Sequence, residues 1–115
     1  MEIESYRRGY LAAHAEREAR SQRARKDVER LLPEAARLLR ERYGAGRVGV
    51  FGSYANGTFR EDSDVDLYVD AVKLDYFSCL ADLSDLFGRP VDVVEMSSAP
   101  ESLRARIRED GHDLP

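Results

Sequence analysis

A glycine–serine pair, followed after ten residues by two aspartates, is the feature that most constrains this 115-residue chain. Gly52 and Ser53 come directly after an apolar run that predicts a strand. Asp64 and Asp66 stand at the start of a second run, in which polar and apolar residues alternate as in a half-buried strand. Alternate residues of a strand lie on the same face, so we expect both carboxylates to point the same way. The pattern therefore predicts one strand that ends in small residues and another that opens with paired acids.

These residue types suit metal and phosphate chemistry. Two neighbouring carboxylates repel each other unless a cation lies between them, and Mg²⁺ prefers one or two carboxylates together with substrate phosphates. At Gly52 and Ser53 the backbone can approach a ligand closely. Free N–H groups at a following helical turn can then hold phosphate oxygens. The combination predicts phosphoryl or nucleotidyl transfer.

Other interpretations of the same residues fit less well. Gly52 and Gly57 have the spacing of a Walker A loop, but Thr58 stands where the phosphate-binding lysine belongs. The alternating aspartates resemble the opening of an EF-hand loop, but Leu67 and Lys73 stand where its glycine and its bidentate glutamate belong. A serine-capped acidic turn would explain an aspartate pair alone. The preceding Gly-Ser strand end favours the functional interpretation.

Two longer segments contain these residues: Phe51-Gly52-Ser53-Tyr54-Ala55-Asn56-Gly57-Thr58 and Ser63-Asp64-Val65-Asp66-Leu67. Together they resemble the signature of the polymerase-beta-like nucleotidyltransferase superfamily. The short chain is most similar to the minimal nucleotidyltransferase (MNT) branch of that superfamily, and the resemblance covers about residues 33 to 110. The expected activity is therefore that of a nucleotidyltransferase.

The resemblance implies a role for each motif residue. It assigns Gly52 and Ser53 to the nucleotide phosphates, and Asp64 and Asp66 to the metal ions. A third acidic residue on a later strand completes the family's site, and Asp92 is the matching residue here. We therefore expect the three aspartates to be both catalytic and metal-ligating. Two Mg²⁺ ions would assist in-line transfer of NMP, from ATP as substrate, to an acceptor hydroxyl whose proton Asp92 helps to remove.

The chain departs from the family pattern beside the glycine–serine pair. The family usually carries a basic residue at the position of Tyr54 and often at that of Asn56. Without these basic residues fewer positive charges lie over the phosphates. The departure therefore makes the expected nucleotide affinity less certain than the expected metal binding.

The resemblance also implies a protein partner. MNT proteins of this type commonly act as antitoxins beside a HEPN-type RNase toxin, which they silence by AMP transfer to a toxin tyrosine. A chain of 115 residues forms one domain with a modest core, too small for a separate acceptor-binding domain. Two alternatives remain open: an antitoxin that neutralises its partner by binding without turnover, and a small-molecule nucleotidyltransferase, similar to aminoglycoside-modifying members, completed by a partner chain.

Charge and hydropathy exclude other classes of function. Residues 48–115 carry 6 basic and 14 acidic groups, so this half lacks the clustered Lys and Arg that nucleic-acid binding needs. No apolar run reaches membrane-spanning length and no signal-peptide core follows Met1, so we expect a cytoplasmic protein. The single cysteine, Cys79, lies in an apolar helical pattern and is expected to be a core residue.

The order of the elements predicts an α+β fold, a small mixed β-sheet with helices packed mainly on one face. Strands are expected at about 47–51, 65–70 and 91–95, and helices at 74–87 and from Pro100 to about Gly111. We divide the chain into an N-terminal helical extension, 1–30, and a minimal nucleotidyltransferase domain, 31–115.

The N-terminal extension has little apolar surface. Its apolar residues form a short stripe of Ile3, Tyr6, Tyr10 and Leu11. Such a helix either remains solvated or packs against the core, a second copy or a partner, so it is a candidate for oligomer formation. Helical spacing of apolar residues continues to Tyr43, and Pro33 either starts this second helix or kinks a longer one.

Overall fold

In the part of the chain that the structure describes, four strands form one mixed sheet in the order β3-β2-β1-β4. The structure, a computed structural model, describes residues 2–71 and 74–115. In chain order the elements are α1 (Ile3–Tyr43), β1 (Val48–Phe51), α2 (Gly52–Asn56), β2 (Val65–Val69), α3 (Tyr76–Phe87), β3 (Val91–Glu95), a 3₁₀ turn (Met96–Ser98), α4 (Glu101–Asp110) and β4 (His112–Asp113). β1 pairs antiparallel with both β2 and β4, whereas β2 and β3 are parallel. The predicted α+β fold with a small mixed sheet is confirmed.

The shortest strand, β4, was not predicted. It consists of His112 and Asp113, which pair with Val50 and Gly49 of β1. Two polar residues show no apolar periodicity, and the strand pairing itself is made by backbone groups, so no local pattern predicts this strand. β4 nevertheless forms the outer strand of the sheet, next to β1.

Alternation along the strands separates two faces of the sheet. Val65, Leu67 and Val69 of β2 lie in the main core beneath α1 and α3. Asp66 and Tyr68 lie on the opposite face, where Tyr68 joins a smaller apolar cluster with Phe51 and with Ile107 of α4. Helices therefore cover one face fully and the other only in part, which leaves room for a site next to α4.

A single helix of 41 residues, α1, runs through Pro33 without interruption. At 1.5 Å per residue it is about 61 Å long, which accounts for the longest dimension of the molecule, 63 Å. Buried residues recur at helical spacing from Ser21 to Leu39, on both sides of Pro33. This continuous buried face outweighs the amide hydrogen bond that proline cannot donate. The helix ends at Gly44, which adopts a left-handed conformation with φ of 71°.

The first part of α1 projects beyond the sheet. Ile3, Tyr6, Tyr10 and Leu11 are all more than half exposed. Farther along α1, Glu18 pairs with Arg60 in the loop after α2. Farther on, the Ser21 hydroxyl oxygen accepts a hydrogen bond from the Glu61 amide. The division of the chain at residue 30 stays a prediction. Within the part of the chain that the structure describes, no helix is both long and apolar enough to cross a membrane.

Candidate active site

The turn from β1 into α2 brings backbone against a carboxylate. Gly52 follows Phe51 directly and has φ of +70°. A β-carbon at this position would overlap Oδ2 of Asp66 on the neighbouring strand. Glycine is thus required twice, for the left-handed conformation and for the close approach. The predicted strand end and the predicted acidic strand meet here.

The remainder of α2 is fixed by its own hydrogen bonds. The Ser53 carbonyl accepts the amide hydrogens of Gly57 and Thr58, which closes the carboxyl end of this five-residue helix. Asn56 accepts hydrogen bonds from the Thr58 amide and hydroxyl. Asn56 therefore serves the turn that follows α2, while Ser53 occupies the first turn, next to Gly52.

The loop between α2 and β2 is anchored by Arg89. Its guanidinium donates hydrogen bonds to the carbonyls of Glu61 and Ser63, each 3.1 Å long. The same guanidinium lies 5.1 Å from the ring centre of the buried Phe59. These contacts hold the loop immediately before Asp64, so the position of Asp64 depends on a residue that lies 25 positions later in the chain.

Asp66 and Asp92 lie side by side. They are register partners on the parallel strands β2 and β3, so their side chains leave the same face of the sheet, with their strands about 4.8 Å apart. Asp64 immediately precedes β2, two residues before Asp66, and is exposed. Burial, the Asp92 charge and the Asp64 charge, in that order, raise the pKa of Asp66 from 3.8 to about 6. The three predicted carboxylates are thus electrostatic neighbours in the fold.

The donor set suits a cation that is completed by its substrate. In residues 2–71 and 74–115, no group of three or more His, Cys, Asp or Glu side chains converges closely enough to hold a metal ion alone. Burial and the charges of Asp92 and Asp64 nevertheless raise the pKa of Asp66, and Arg106 opposes them only in part. Mg²⁺ commonly binds one or two carboxylates and fills its remaining positions with phosphate oxygens and water. Asp66 and Asp92, with Asp64 nearby, fit that kind of ion.

Sequence reasoning missed a positive charge beside the carboxylates. Arg106, on α4, lowers the pKa of Asp66 and so opposes the effect of its acidic neighbours. Arg104 and Arg108 both pair with Glu101. The sequence does separate Arg106 from the other two arginines, because Arg104 and Arg108 are one helical turn apart while Arg106 lies on another side of the helix. The Arg106 charge acts on Asp66 because α4 packs, through Ile107, on the same face of the sheet.

A second arginine reaches α2 from the long helix. The guanidinium of Arg25 stacks on the Tyr54 ring, 4.5 Å from its centre, and donates a 3.1 Å hydrogen bond to the Tyr54 carbonyl. Tyr54 itself stands where a basic residue was expected. Arg25 therefore supplies, beside α2, a positive charge that the local sequence lacks.

A tyrosine that the sequence analysis did not single out contacts the third aspartate. The Tyr76 hydroxyl donates a hydrogen bond of 3.2 Å to Oδ1 of Asp92.

Cys79, on the same helix α3, is fully buried, and burial raises the pKa of its thiol to about 11. The prediction that Cys79 is a core residue is confirmed.

This chain is similar in sequence to known nucleotidyltransferases. The family model described as polymerase beta, nucleotidyltransferase matches residues 35–114. The protein adenylyltransferase MntA of Thermococcus cleftensis is 39% identical over 85 residues, which cover 70% of this chain and 86% of the relative.

Two solved structures extend the similarity to three dimensions. A chain from a toxin–antitoxin crystal structure with AMP-PNP superposes with a TM-score of 0.65 at 29% identity, over 70% of this chain and 68% of the other. A chain from the toxin–antitoxin MntA–HpeT, in a mutant with two aspartate-to-glutamate changes two positions apart, gives 0.66 at 26% identity, over 72% and 71%.

Proposed function

Because this chain belongs to the polymerase beta nucleotidyltransferase family, we propose that it transfers AMP from ATP to a hydroxyl of a partner protein. The observation that carries the proposal is the contact of the Gly52 backbone with Asp66, whose register partner is Asp92. A phosphate-binding turn and a carboxylate pair are thereby adjacent. Nucleotidyl transfer needs both, because the nucleotide must be held while charge develops on its α-phosphate.

Magnesium is the metal that the carboxylates fit best. Asp66 and Asp92 would hold it together with Asp64, and bound Mg²⁺ would neutralise charge on the phosphates and the leaving pyrophosphate. Around it, the chain's own residues orient the substrate. The Gly52–Ser53 turn would contact the phosphates through backbone N–H groups and the Ser53 hydroxyl, and Arg106 would add a positive charge.

Asp92 is the residue proposed to receive the acceptor's proton. It is exposed at the edge of the sheet, on the outer strand β3. It already accepts a hydrogen bond from a tyrosine hydroxyl in this structure. An acceptor hydroxyl placed in the same way would lie within reach of a base. This arrangement supports transfer to a hydroxyl-bearing side chain.

The proposed partner is a HEPN-type toxin, with this chain as its antitoxin. Support comes from the MntA relative, named a protein adenylyltransferase, and from the two toxin–antitoxin structures. The exposed site at the sheet edge supports it too, since the acceptor is free to come from another molecule. The cytoplasm is the proposed location, because both ATP and Mg²⁺ are available there.

The test is the intact mass of the protein encoded next to this one. Purified partner would be incubated with this chain, Mg²⁺ and each of the four nucleoside triphosphates in turn. We expect a gain of one or more AMP units with ATP, lost in Asp66→Asn and retained in Asp62→Asn, a matched change in the adjacent acidic turn.

The other outcomes separate the alternatives. A stable complex whose toxin is silenced without any mass gain would contradict catalysis and favour neutralisation by binding. Retention of full transfer by Asp66→Asn would contradict the role of that carboxylate. Absence of a complex, with nucleotide transfer to free aminoglycosides instead, would favour the small-molecule enzyme.

A further inference from the structure

Tyr76 lies where an acceptor hydroxyl is needed. It is the first residue of α3, and its hydroxyl donates to Oδ1 of Asp92 at 3.2 Å. The residue is 38% exposed, and its ring packs edge-on against Phe77, 5.7 Å away and itself 82% exposed. The hydroxyl therefore reaches the catalytic edge of the sheet from an open aromatic pair rather than from the core.

The other tyrosines of the chain are engaged elsewhere. The hydroxyls of Tyr43 and Tyr68 donate to Asp82 and Asp113, outside the carboxylate site. The Tyr54 ring lies between Arg25 and Phe59. Tyr6 and Tyr10 belong to the projecting part of α1. A hydrogen bond to a site aspartate thus distinguishes Tyr76 from tyrosines that serve packing or solvated surfaces.

We propose that Tyr76 is itself a nucleotidyl acceptor, modified within its own chain. The inference rests on the proposed function, because it uses the same carboxylates and the same ATP. The Tyr76 oxygen forms a bond to the α-phosphorus, and the bond from that phosphorus to the oxygen bridging to the β-phosphorus breaks. Pyrophosphate leaves with the electron pair, and the phenolic proton passes to Asp92. The product is a tyrosyl-AMP phosphodiester on α3.

Self-modification has a consequence for partner modification. Tyr76 and a partner hydroxyl would compete for the same position beside Asp92. A chain that carries AMP on Tyr76 has filled that position covalently, so its transfer to the partner would be slower. Free antitoxin would therefore become modified, whereas antitoxin in complex with its partner would direct AMP to the partner.

The experiment measures the mass of this chain after incubation with ATP and Mg²⁺, in the absence and in the presence of the neighbouring protein. Peptide mapping by tandem mass spectrometry locates the adduct. We expect one AMP on the peptide that contains Tyr76, none in Tyr76→Phe, and an unchanged yield in Tyr43→Phe. Circular dichroism and thermal unfolding show that each variant is folded. The fraction modified per unit time should be independent of chain concentration over a hundredfold range.

The contrary results are distinct. A modified partner with an unmodified chain would overturn the inference and leave the proposed function standing. AMP on another residue of the chain, or a rate per chain that rises in proportion to concentration, would overturn intramolecular modification of Tyr76. If neither protein gains mass, both the inference and the proposed function are wrong.

Discussion

At the level of single residues, Asp66 combines partial burial with two acidic neighbours. Its pKa of about 6 exceeds the ordinary value of 3.8, so the folded protein binds a proton here more tightly than the unfolded chain does. Stability contributed by this group is therefore greatest below about pH 4 and falls as the pH rises towards 6. At neutral pH the metal-free fold carries the full penalty of an ionised Asp66.

We therefore expect Asp66→Asn to stabilise the metal-free protein. In chelator at pH 7.5 the free energy of unfolding should rise by about 1 kcal/mol, a value reduced for the solvent that still reaches this carboxylate. Near pH 3.5 the difference from wild type should disappear. Urea denaturation at both pH values measures this, with Asp85→Asn, an exposed acid on α3, as control. Equal stabilisation at both pH values would contradict the electrostatic explanation.

Arg106 gives a second prediction at this scale, one that concerns the nucleotide. If its guanidinium contacts the phosphates, Arg106→Ala should raise the KM for ATP about tenfold, the loss expected for one charge-assisted hydrogen bond, and change kcat less. Arg108→Ala removes the same charge from the same helix but from a side chain paired with Glu101. Steady-state kinetics that show equal effects for both variants would exclude a specific phosphate contact.

At the level of elements, the short helix α2 is bounded by two glycines with positive φ. Gly52 has φ of +70° and Gly57 has +85°, but only at Gly52 would a β-carbon overlap the Asp66 carboxylate. At Gly57 there is open space around the same position. The two positions thus share the same backbone requirement and differ in whether they touch the site.

Alanine at these two glycines should separate stability from catalysis. Each substitution should lower the free energy of unfolding by about 1–2 kcal/mol, because alanine is strained in the left-handed region. Gly52→Ala should also displace Asp66 and reduce transfer about 100-fold, since small misplacements of catalytic groups are costly. Gly57→Ala should keep near-normal transfer. Denaturation and the intact-mass assay on both variants test this, and equal activities would contradict the close-approach argument.

At the level of the whole molecule, the projecting part of α1 gives the protein an elongated shape. The radius of gyration is 17.3 Å, whereas a compact domain of this length has about 13 Å. Residues 2–12 are exposed throughout, while the core-facing side of the helix is buried from Ser21 onward. Shape and stability should therefore depend on different parts of the same helix.

Deletion of residues 2–16 should shorten the protein without destabilising it. We expect a smaller radius of gyration by small-angle X-ray scattering and a change in unfolding free energy below about 0.5 kcal/mol, as for exposed positions in general. Leu39→Ala, at a fully buried position of the same helix, should cost about 2–5 kcal/mol. A large loss on deletion would show that these residues pack in solution. Self-association through this helix stays a prediction, which the mass in solution before and after deletion would test.

Local sequence determined much of this protein. Alternating residues defined β2, and the Gly52–Ser53 and Asp64–Asp66 spacing indicated the family, because periodicity and backbone requirements act within a few residues. In contrast, α1 passes through Pro33 because one continuous face of the helix is buried, and that burial depends on the sheet beneath it.

The resemblance assigned the three aspartates to one site, but only the tertiary structure decided how they meet and which other residues reach them. Residues from separate elements meet through the register that sets Asp92 beside Asp66, the packing of α4 that brings the Arg106 charge near Asp66, and the hydrogen bond from Tyr76 to Asp92. Such contacts depend on strand order and helix packing, for which a single sequence has no local signal.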